Sequence, residues 1–330
     1  MPMFGKIKEY AKLSRSFNIA FTGMAPVLGA VSVGEYGIST LFLLFIIGCL
    51  GHMYGFALND YLDIGVDKES SELSERPLVK RSISKKGALS FILASLLSAF
   101  LLCIAFFPNM VTLAILGSSS ILVTLYNMTN KKLPGVDVIL SASIFALVLF
   151  GGYAPRNTFE NLTYLIAGVG AVQVLFMNVV LGGLKDIEHD KRTLSKTSAS
   201  SLGVAIKNKR VEVSRKFKLC ASGIEVSHIS LSFAPFIFLQ LPYQLWQISL
   251  MLVVSIAILY ITKLVLSIDY FERRRLRKLV GIHYMVSFSL APLILASVNT
   301  YVLLLVVVPP IAFVGSNLLL HGTYLNPQTM

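Results

Sequence analysis

Residues 38–67 read ISTLFLLFIIGCLGHMYGFALNDYLDIGVD: more than twenty uncharged residues that run straight into a cluster of aspartates. A helix of about 20 apolar residues is long enough to cross a bilayer. The pattern recurs along the chain. Residues 36–58, 87–130, 161–184 and 279–330 carry no charged side chain at all. Across the 330 residues, 55% are apolar and 14% charged, where a soluble domain carries about 25% charged residues. One bundle of membrane spans, a single domain over 1–330, fits this composition better than two soluble domains.

Ten spans are expected, at about 16–34, 38–58, 87–107, 110–126, 137–154, 162–183, 219–241, 246–267, 279–298 and 301–320. Pro108-Asn109 divides the long 87–126 stretch, and Pro242 separates the seventh and eighth spans. The fold class is therefore all-α, a multi-span transmembrane bundle of nine or ten helices. The run from Ser16 to Gly34 exceeds a signal-peptide core, so it is read as the first span. Cys49, Cys103 and Cys220 show no C-x-x-C spacing and are read as small hydrophobes.

Charge sets the orientation. With the N-terminus in the cytoplasm, 27 of the 29 Lys and Arg residues fall on cytoplasmic segments, and only Arg156 and Lys263 lie elsewhere. This positive-inside bias accounts for the +12 net charge through anionic membrane lipid, with no need for nucleic acid. It also places two long loops, 59–86 and 184–218, on the cytoplasmic side. Both begin with clustered carboxylates, and they are the expected catalytic loops.

At about 100° per residue, Asp60, Asp63 and Asp67 fall within about 60° of one another on a helix, with Asn59 at the edge of that face. Like charges so placed repel, and only Lys68 follows to offset them. Hard oxygen ligands of this kind suit Mg²⁺. The sixth span ends in a second cluster, and Asp186-Ile187-x-x-Asp190-Lys191 repeats Asp63-Ile64-x-x-Asp67-Lys68 at an offset of 123. Each copy closes an even-numbered span on the same side, as in a pseudo-repeated four-helix unit. Two such sites facing one cavity can hold Mg²⁺ on a diphosphate and neutralise it as it leaves. Asn59, Asp60, Asp63, Asp67, Asp186 and Asp190 are the expected metal ligands. Arg76, Lys131 and Lys185 are the expected cations for the diphosphate oxygens.

These residues resemble the UbiA family of intramembrane prenyltransferases. Asn59 through Asp67 match its N-D-x-x-D-x-x-x-D motif, and Asp186 and Asp190 match its D-x-x-x-D. Glu75-Arg76-Pro77-Leu78 with Ile83-Ser84, Tyr126 with Lys131, and Arg15 with Asn18 are similar to further family elements. The resemblance covers about residues 12–300. It implies Mg²⁺-dependent transfer of a prenyl group from a polyprenyl diphosphate to a lipophilic or aromatic acceptor, with diphosphate released. It also implies that Asp63, Asp67, Asp186, Asp190 and Tyr126 are catalytic, and that Arg15 and Asn18 belong to the donor site. A prenylglyceryl phosphate, as in archaeal-type ether lipids, or a quinone precursor is the favoured acceptor. Tyr61 and Tyr126 are candidates to face an allylic cation. Three departures stand out: a tenth span with Pro309-Pro310, Val79-Lys80-Arg81 after the R-P-L element, and Val136-Asp137 where many members have Gly-Asn.

His52, Gln173 and Asn178 are polar residues within spans, suited to helix-to-helix hydrogen bonds or acceptor contact. Arg273-Arg274-Arg275 reads as an orientation signal with lipid contact. Two other activities compete. A multi-span transporter with a cytoplasmic-side carboxylate cation site is one, although transporters place ionisable groups nearer the midplane. A CDP-alcohol phosphotransferase is the other, but its D-G-x-x-A-R element is absent.

Overall fold

With no water in a bilayer core, each span must satisfy its own backbone, which an α-helix does. A computed structural model describes residues 3–69, 73–327 and 329. Among these, nine helices are long and apolar enough to cross a membrane. A shorter apolar segment, Ser16–Ser32, makes the tenth expected span.

An amphipathic helix, α1 (Met3–Leu13), precedes α2 (Ile19–Ser32) and α3 (Ile38–Leu62). One turn, α4 (Ile64–Asp67), prolongs α3 almost without a break, because Asp63 N–H donates to Asn59 O at 3.0 Å and Asp67 N–H to Asp63 O at 2.9 Å. There follow α5 (Lys85–Phe106), α6 (Met110–Thr129), α7 (Asp137–Arg156) and α8 (Asn161–Phe176). A π-helical turn at Met177–Gly182 joins α8 to α9 (Gly183–Arg192). The chain then forms α10 (Ser198–Ser201), the antiparallel strands β1 (Val204–Lys207) and β2 (Arg210–Val213), α11 (Arg215–Phe238), α12 (Leu245–Leu266), α13 (Arg273–Phe288), α14 (Leu290–Leu295) and α15 (Leu304–His321).

Sequence signals set the boundaries. The Asn109 side chain accepts from Val111 N–H and opens α6, while Ser84 and Ser214 cap α5 and α11 in the same way. Asn157, in the left-handed region at φ 53°, closes α7. The expected loop over 184–218 is in fact part helix and part hairpin. Asn208 and Lys209 both take positive φ, as a two-residue type I′ hairpin turn requires. Val204, Ile206 and Val211 are buried in one apolar cluster with Ile187, Leu276 and Val280. Residues 70–72 of the loop over 59–86 lie outside the described residues.

Close helix crossings build the core. At the α2–α7 crossing, a Cβ on Gly151 would stand 1.9 Å from Pro26 O, and one on Gly29 would stand 2.0 Å from Val148 O. Those contacts leave room only for hydrogen, and the two backbones meet as small residues permit within a membrane. The other half is tied by a buried polar knot. Glu225 on α11 accepts from His283 Nε2 on α13 (2.8 Å) and from Thr262 on α12 (2.9 Å), with His228 Nδ1 at 3.3 Å.

Short connections make successive spans reverse direction. At one end, Arg156 donates to Gly34 O at 2.9 Å. At the other, the segments after α6, α9 and α12 come together: Lys196 N–H donates to Lys131 O at 3.0 Å, Gly135 N–H to Ser198 Oγ at 2.9 Å, and Phe271 N–H to Lys209 O at 2.7 Å. Helix α1 lies against this end, where buried Glu9 accepts from Lys12 (3.2 Å) and from the Ser82 hydroxyl. Both aspartate clusters lie beneath this roof.

Candidate active site

The polar end of the bundle opens into a cavity of about 380 Å³, within the range of small-molecule sites. Asn59, Asp63 and Asp67 line it from the α3–α4 end, and Asp186 and Asp190 line it from α9. The two matching clusters therefore face one space. Arg15, Asn18, Arg76, Tyr126, Lys131 and Lys185 line it as well. Deeper in the bundle its walls turn apolar, with Phe17, Phe21, Leu28, Leu147, Ile166 and Phe288.

Asp60, Asp63, Asp67 and Asp186 are each held by a cation from another segment. Lys131 Nζ lies 3.1 Å from Asp63 Oδ2 and 3.7 Å from Asp67 Oδ1. Arg76 reaches Asp60 at 3.3 Å and bonds Asp67 directly. Lys185 lies 3.2 Å from Asp186 Oδ2, and Arg273 donates to its Oδ1 at 2.8 Å. Burial pushes the Asp63 carboxyl above its usual range, although Lys131 beside it pulls the other way. At Arg76 burial works against the charge, but Asp60 and Asp67 outweigh it and raise the pKa. Asp186 acts on Arg76 in the same sense, so the two clusters share one electrostatic field.

Arg15 needs an unusual backbone to reach the site. It stands at φ 46°, ψ 47°, between α1 and a single 3₁₀ turn at Ser16–Asn18. A non-glycine residue there is strained, a feature that gathers at functional sites. The strain aims its guanidinium at Asp60 (2.8 Å) and Asn59 (3.4 Å) and over the Phe56 ring (5.1 Å). The π-helical turn has a similar effect on the sixth span. It takes up Asn178, whose Oδ1 accepts from Tyr126 at 3.5 Å, and leads into the helix that carries Asp186 and Asp190.

Some expected residues are placed differently. Asp60 is 2% exposed and absent from the cavity lining, held by Arg15 and Arg76. Tyr61 is outside the lining while Tyr126 is within it. His52 and Gln173, by contrast, make helix-to-helix hydrogen bonds as expected, His52 with Thr22 (2.8 Å) and Arg15 O (3.2 Å) and Gln173 to Ser287 (2.9 Å), and both also line the cavity. Arg273, expected at the lipid surface, instead turns inward to Asp186. Asp137, the departure noted above, lines the cavity and accepts from Ser198. His189, also in the lining, is a further polar group contributed by α9.

The donor set can be tested against a metal. Among the described residues, no three of His, Cys, Asp and Glu stand close enough to hold an ion by themselves. Mg²⁺ does not need three, because it binds through one or two carboxylates together with substrate phosphates and water. Asp67 Oδ1 is buried and accepts no hydrogen bond, which leaves one hard oxygen for such an ion.

The model of the UbiA prenyltransferase family matches residues 19–288. The chain belongs to this family. It is a multi-pass membrane prenyltransferase. Among its curated relatives, the UbiA member is 27% identical over 208 residues to the digeranylgeranylglyceryl phosphate synthase of Thermococcus kodakarensis, spanning 62% of this chain and 71% of that protein. It is 26% identical to the synthase of the same name from Ignicoccus hospitalis, over 60% of this chain and 66% of that one. The protoheme IX farnesyltransferase of Saccharolobus islandicus is 27% identical over 51% of this chain and 59% of its own length.

Solved structures of UbiA homologs share the fold. One from Aeropyrum pernix superposes with a TM-score of 0.65 at 14% identity, covering 87% of this chain and 98% of that chain. Another, from Archaeoglobus fulgidus and bound to GPP and Mg²⁺, gives 0.61 at 14% identity, covering 87% and 99%. A third, from work on digeranylgeranylglyceryl phosphate synthase in membranes, gives 0.62 at 20%, covering 91% and 99%.

Proposed function

We propose that this UbiA member transfers a prenyl group from a polyprenyl diphosphate to the free hydroxyl of a prenylated glycerol phosphate. One observation carries this reading: two aspartate clusters and four cations converge on a single cavity whose deeper walls are apolar. Such a site suits a molecule with a multiply charged head and a hydrocarbon tail. The likeness to two digeranylgeranylglyceryl phosphate synthases supports the acceptor class.

Asn59, Asp63 and Asp67 on one side, and Asp186 and Asp190 on the other, would hold Mg²⁺. The metal would neutralise charge on the departing diphosphate. Asp60 serves through Arg15 and Arg76, which it holds in position. Arg15, Arg76, Lys131 and Lys185 bind the diphosphate oxygens as charge-assisted donors, with Asn18 at the same wall. The donor's C1–O bond breaks with its electron pair going to diphosphate, the acceptor oxygen bonds to C1, and the hydroxyl proton passes to the released diphosphate. Tyr126 presents its ring to positive charge at C1, and the apolar walls keep water from capturing it. The roof and the N-terminus face the cytoplasm, as the distribution of Lys and Arg supports. Residues 1–330 work as one domain, with the aspartate clusters on 59–86 and 184–218.

Mass spectrometry of products tests this. Purified protein in liposomes receives geranylgeranyl diphosphate with a prenylated glycerol phosphate, a hydroxybenzoate, a naphthoate or a haem as acceptor. The expected outcome is a prenyl ether of the glycerol phosphate, lost in EDTA and restored by Mg²⁺. Product from an aromatic acceptor alone would move the assignment to a quinone precursor. Solute flux without diphosphate release would favour a transporter.

A further inference from the structure

Helix α15 lies beyond the stretch matched by the family, which ends at residue 288. The prenyl-transfer site described above uses none of its polar groups. Its outer face meets lipid, with Ile311 64% exposed, yet Phe313 two residues on is only 2% exposed and lines the cavity. The Phe313 ring stands edge-on to Phe17 (5.9 Å) and Phe21 (6.1 Å), at the start of the first span. Across from them it rests on α13, where a Cβ on Gly281 would lie 3.5 Å from Phe313 Cζ. Phe17, Phe21, Gly281 and Phe313 all line the cavity, so the ring fills a gap between the first span and α13.

Ring packing against Phe17 and Phe21 holds this face of the helix inward, and Ser316 Oγ, whose shorter acceptors Ala312 O (2.5 Å) and Phe313 O (3.2 Å) lie within α15, also stands 3.4 Å from Phe17 O. Above Phe313, Pro309 and Pro310 remove two backbone donors and mark where the helix can bend. The inner face of α15 therefore completes the apolar wall of the cavity, and its outer face is the boundary with lipid.

We propose that Phe313 on α15 limits the length of the prenyl chain this enzyme accepts, by closing the side of the cavity between the first span and α13. This rests on the prenyl-diphosphate reading of the site. A longer prenyl chain needs more apolar space along the wall that this ring closes. Shortening the side chain opens that wall. Phe313 is thus a specificity residue for the tail and is not itself among the groups that hold the head, although its packing partner Phe17 stands beside Asn18 at the donor site.

The test is kcat/KM for geranyl, farnesyl, geranylgeranyl and geranylfarnesyl diphosphates with one acceptor, in wild type, Phe313→Leu, Phe313→Ala and Ile311→Ala. Phe313→Ala is expected to raise the ratio of geranylfarnesyl to farnesyl turnover by about tenfold, the scale at which apolar pockets discriminate by size. Phe313→Leu, which keeps most of the side chain and guards against loss of folding, should give an intermediate shift. Ile311→Ala should leave the ratio within about twofold of wild type, because that side chain faces lipid. A ratio unchanged in Phe313 variants that still turn over farnesyl diphosphate would overturn the proposal and leave prenyl transfer standing. Absence of turnover by wild type with every donor would instead refute the transferase reading and this inference with it.

Discussion

Asp63→Ala is expected to lower kcat by about 10²–10³-fold, the loss typical of removing one group that stabilises developing charge. The side chain sits at the C-terminal end of α3, between Lys131 at 3.1 Å and the Asn59 amide at 3.3 Å, and its carboxylate faces the cavity. Without it the ion pair left to Lys131 among the described residues is Asp67 at 3.7 Å, and the first cluster loses its least buried carboxylate. Folding should survive, because Lys131 is partly exposed and can be hydrated. Diphosphate release by purified protein, with thermal unfolding as the control, checks this. Retention of more than about a tenth of the activity would remove Asp63 from the site, since one such group is worth more than that.

Arg76→Ala should damage both stability and activity. Arg76 is 7% exposed and ties Asp60 to Asp67, two carboxylates that are themselves 2% and 1% exposed. Removing one partner from a buried ion group costs about 3–5 kcal/mol, because the remaining charges have no solvent. Arg15 still reaches Asp60 at 2.8 Å, whereas Asp67 keeps only Lys131 at 3.7 Å. The roof formed by residues 73–84 is expected to loosen, with a lower unfolding temperature and little turnover. Arg76→Lys should recover less than half of the loss, because a compact, strongly hydrated ammonium is costlier to bury than a planar, weakly hydrated guanidinium. Thermal unfolding of both variants in detergent, together with diphosphate release, reads the two effects separately.

How far the sequence revealed this site depended on the kind of signal. The aspartate clusters were legible because helical spacing puts Asp63 and Asp67 on one face, and because uncompensated carboxylates beside a span call for a cation. The Asp186 copy strengthened that reading by its matched place at the end of another even-numbered span. Asp60 shares the same face by angle alone. Its aim was set instead by Arg15 and Arg76, which arrive from distant segments. Arg273 was hidden by its setting, since three arginines at a membrane edge are indistinguishable from an orientation signal until α13 is placed beside α9. Tyr61 and Tyr126 were both candidates to face a cation, although only Tyr126 matched a family element, and the rotation of their helices decides which ring meets the cavity. The hairpin left a fainter trace, the alternating Val204-Ala-Ile-Lys and Arg210-Val-Glu-Val about Asn208-Lys209. Helix α15 is apolar on all sides, so hydropathy marked a tenth span without showing that Phe313 points inward.

Both aspartate clusters are expected to act on the same anion. A double-mutant cycle measures it: affinity for a non-reactive prenyl thiodiphosphate in Mg²⁺, for wild type, Asp63→Asn, Asp186→Asn and the pair. Shared binding predicts strong non-additivity, with the double variant losing little more than the worse single one and a coupling above about 1 kcal/mol. Losses that simply add, to within about 0.3–0.5 kcal/mol, would mean that the clusters serve separate ligands and would contradict the account.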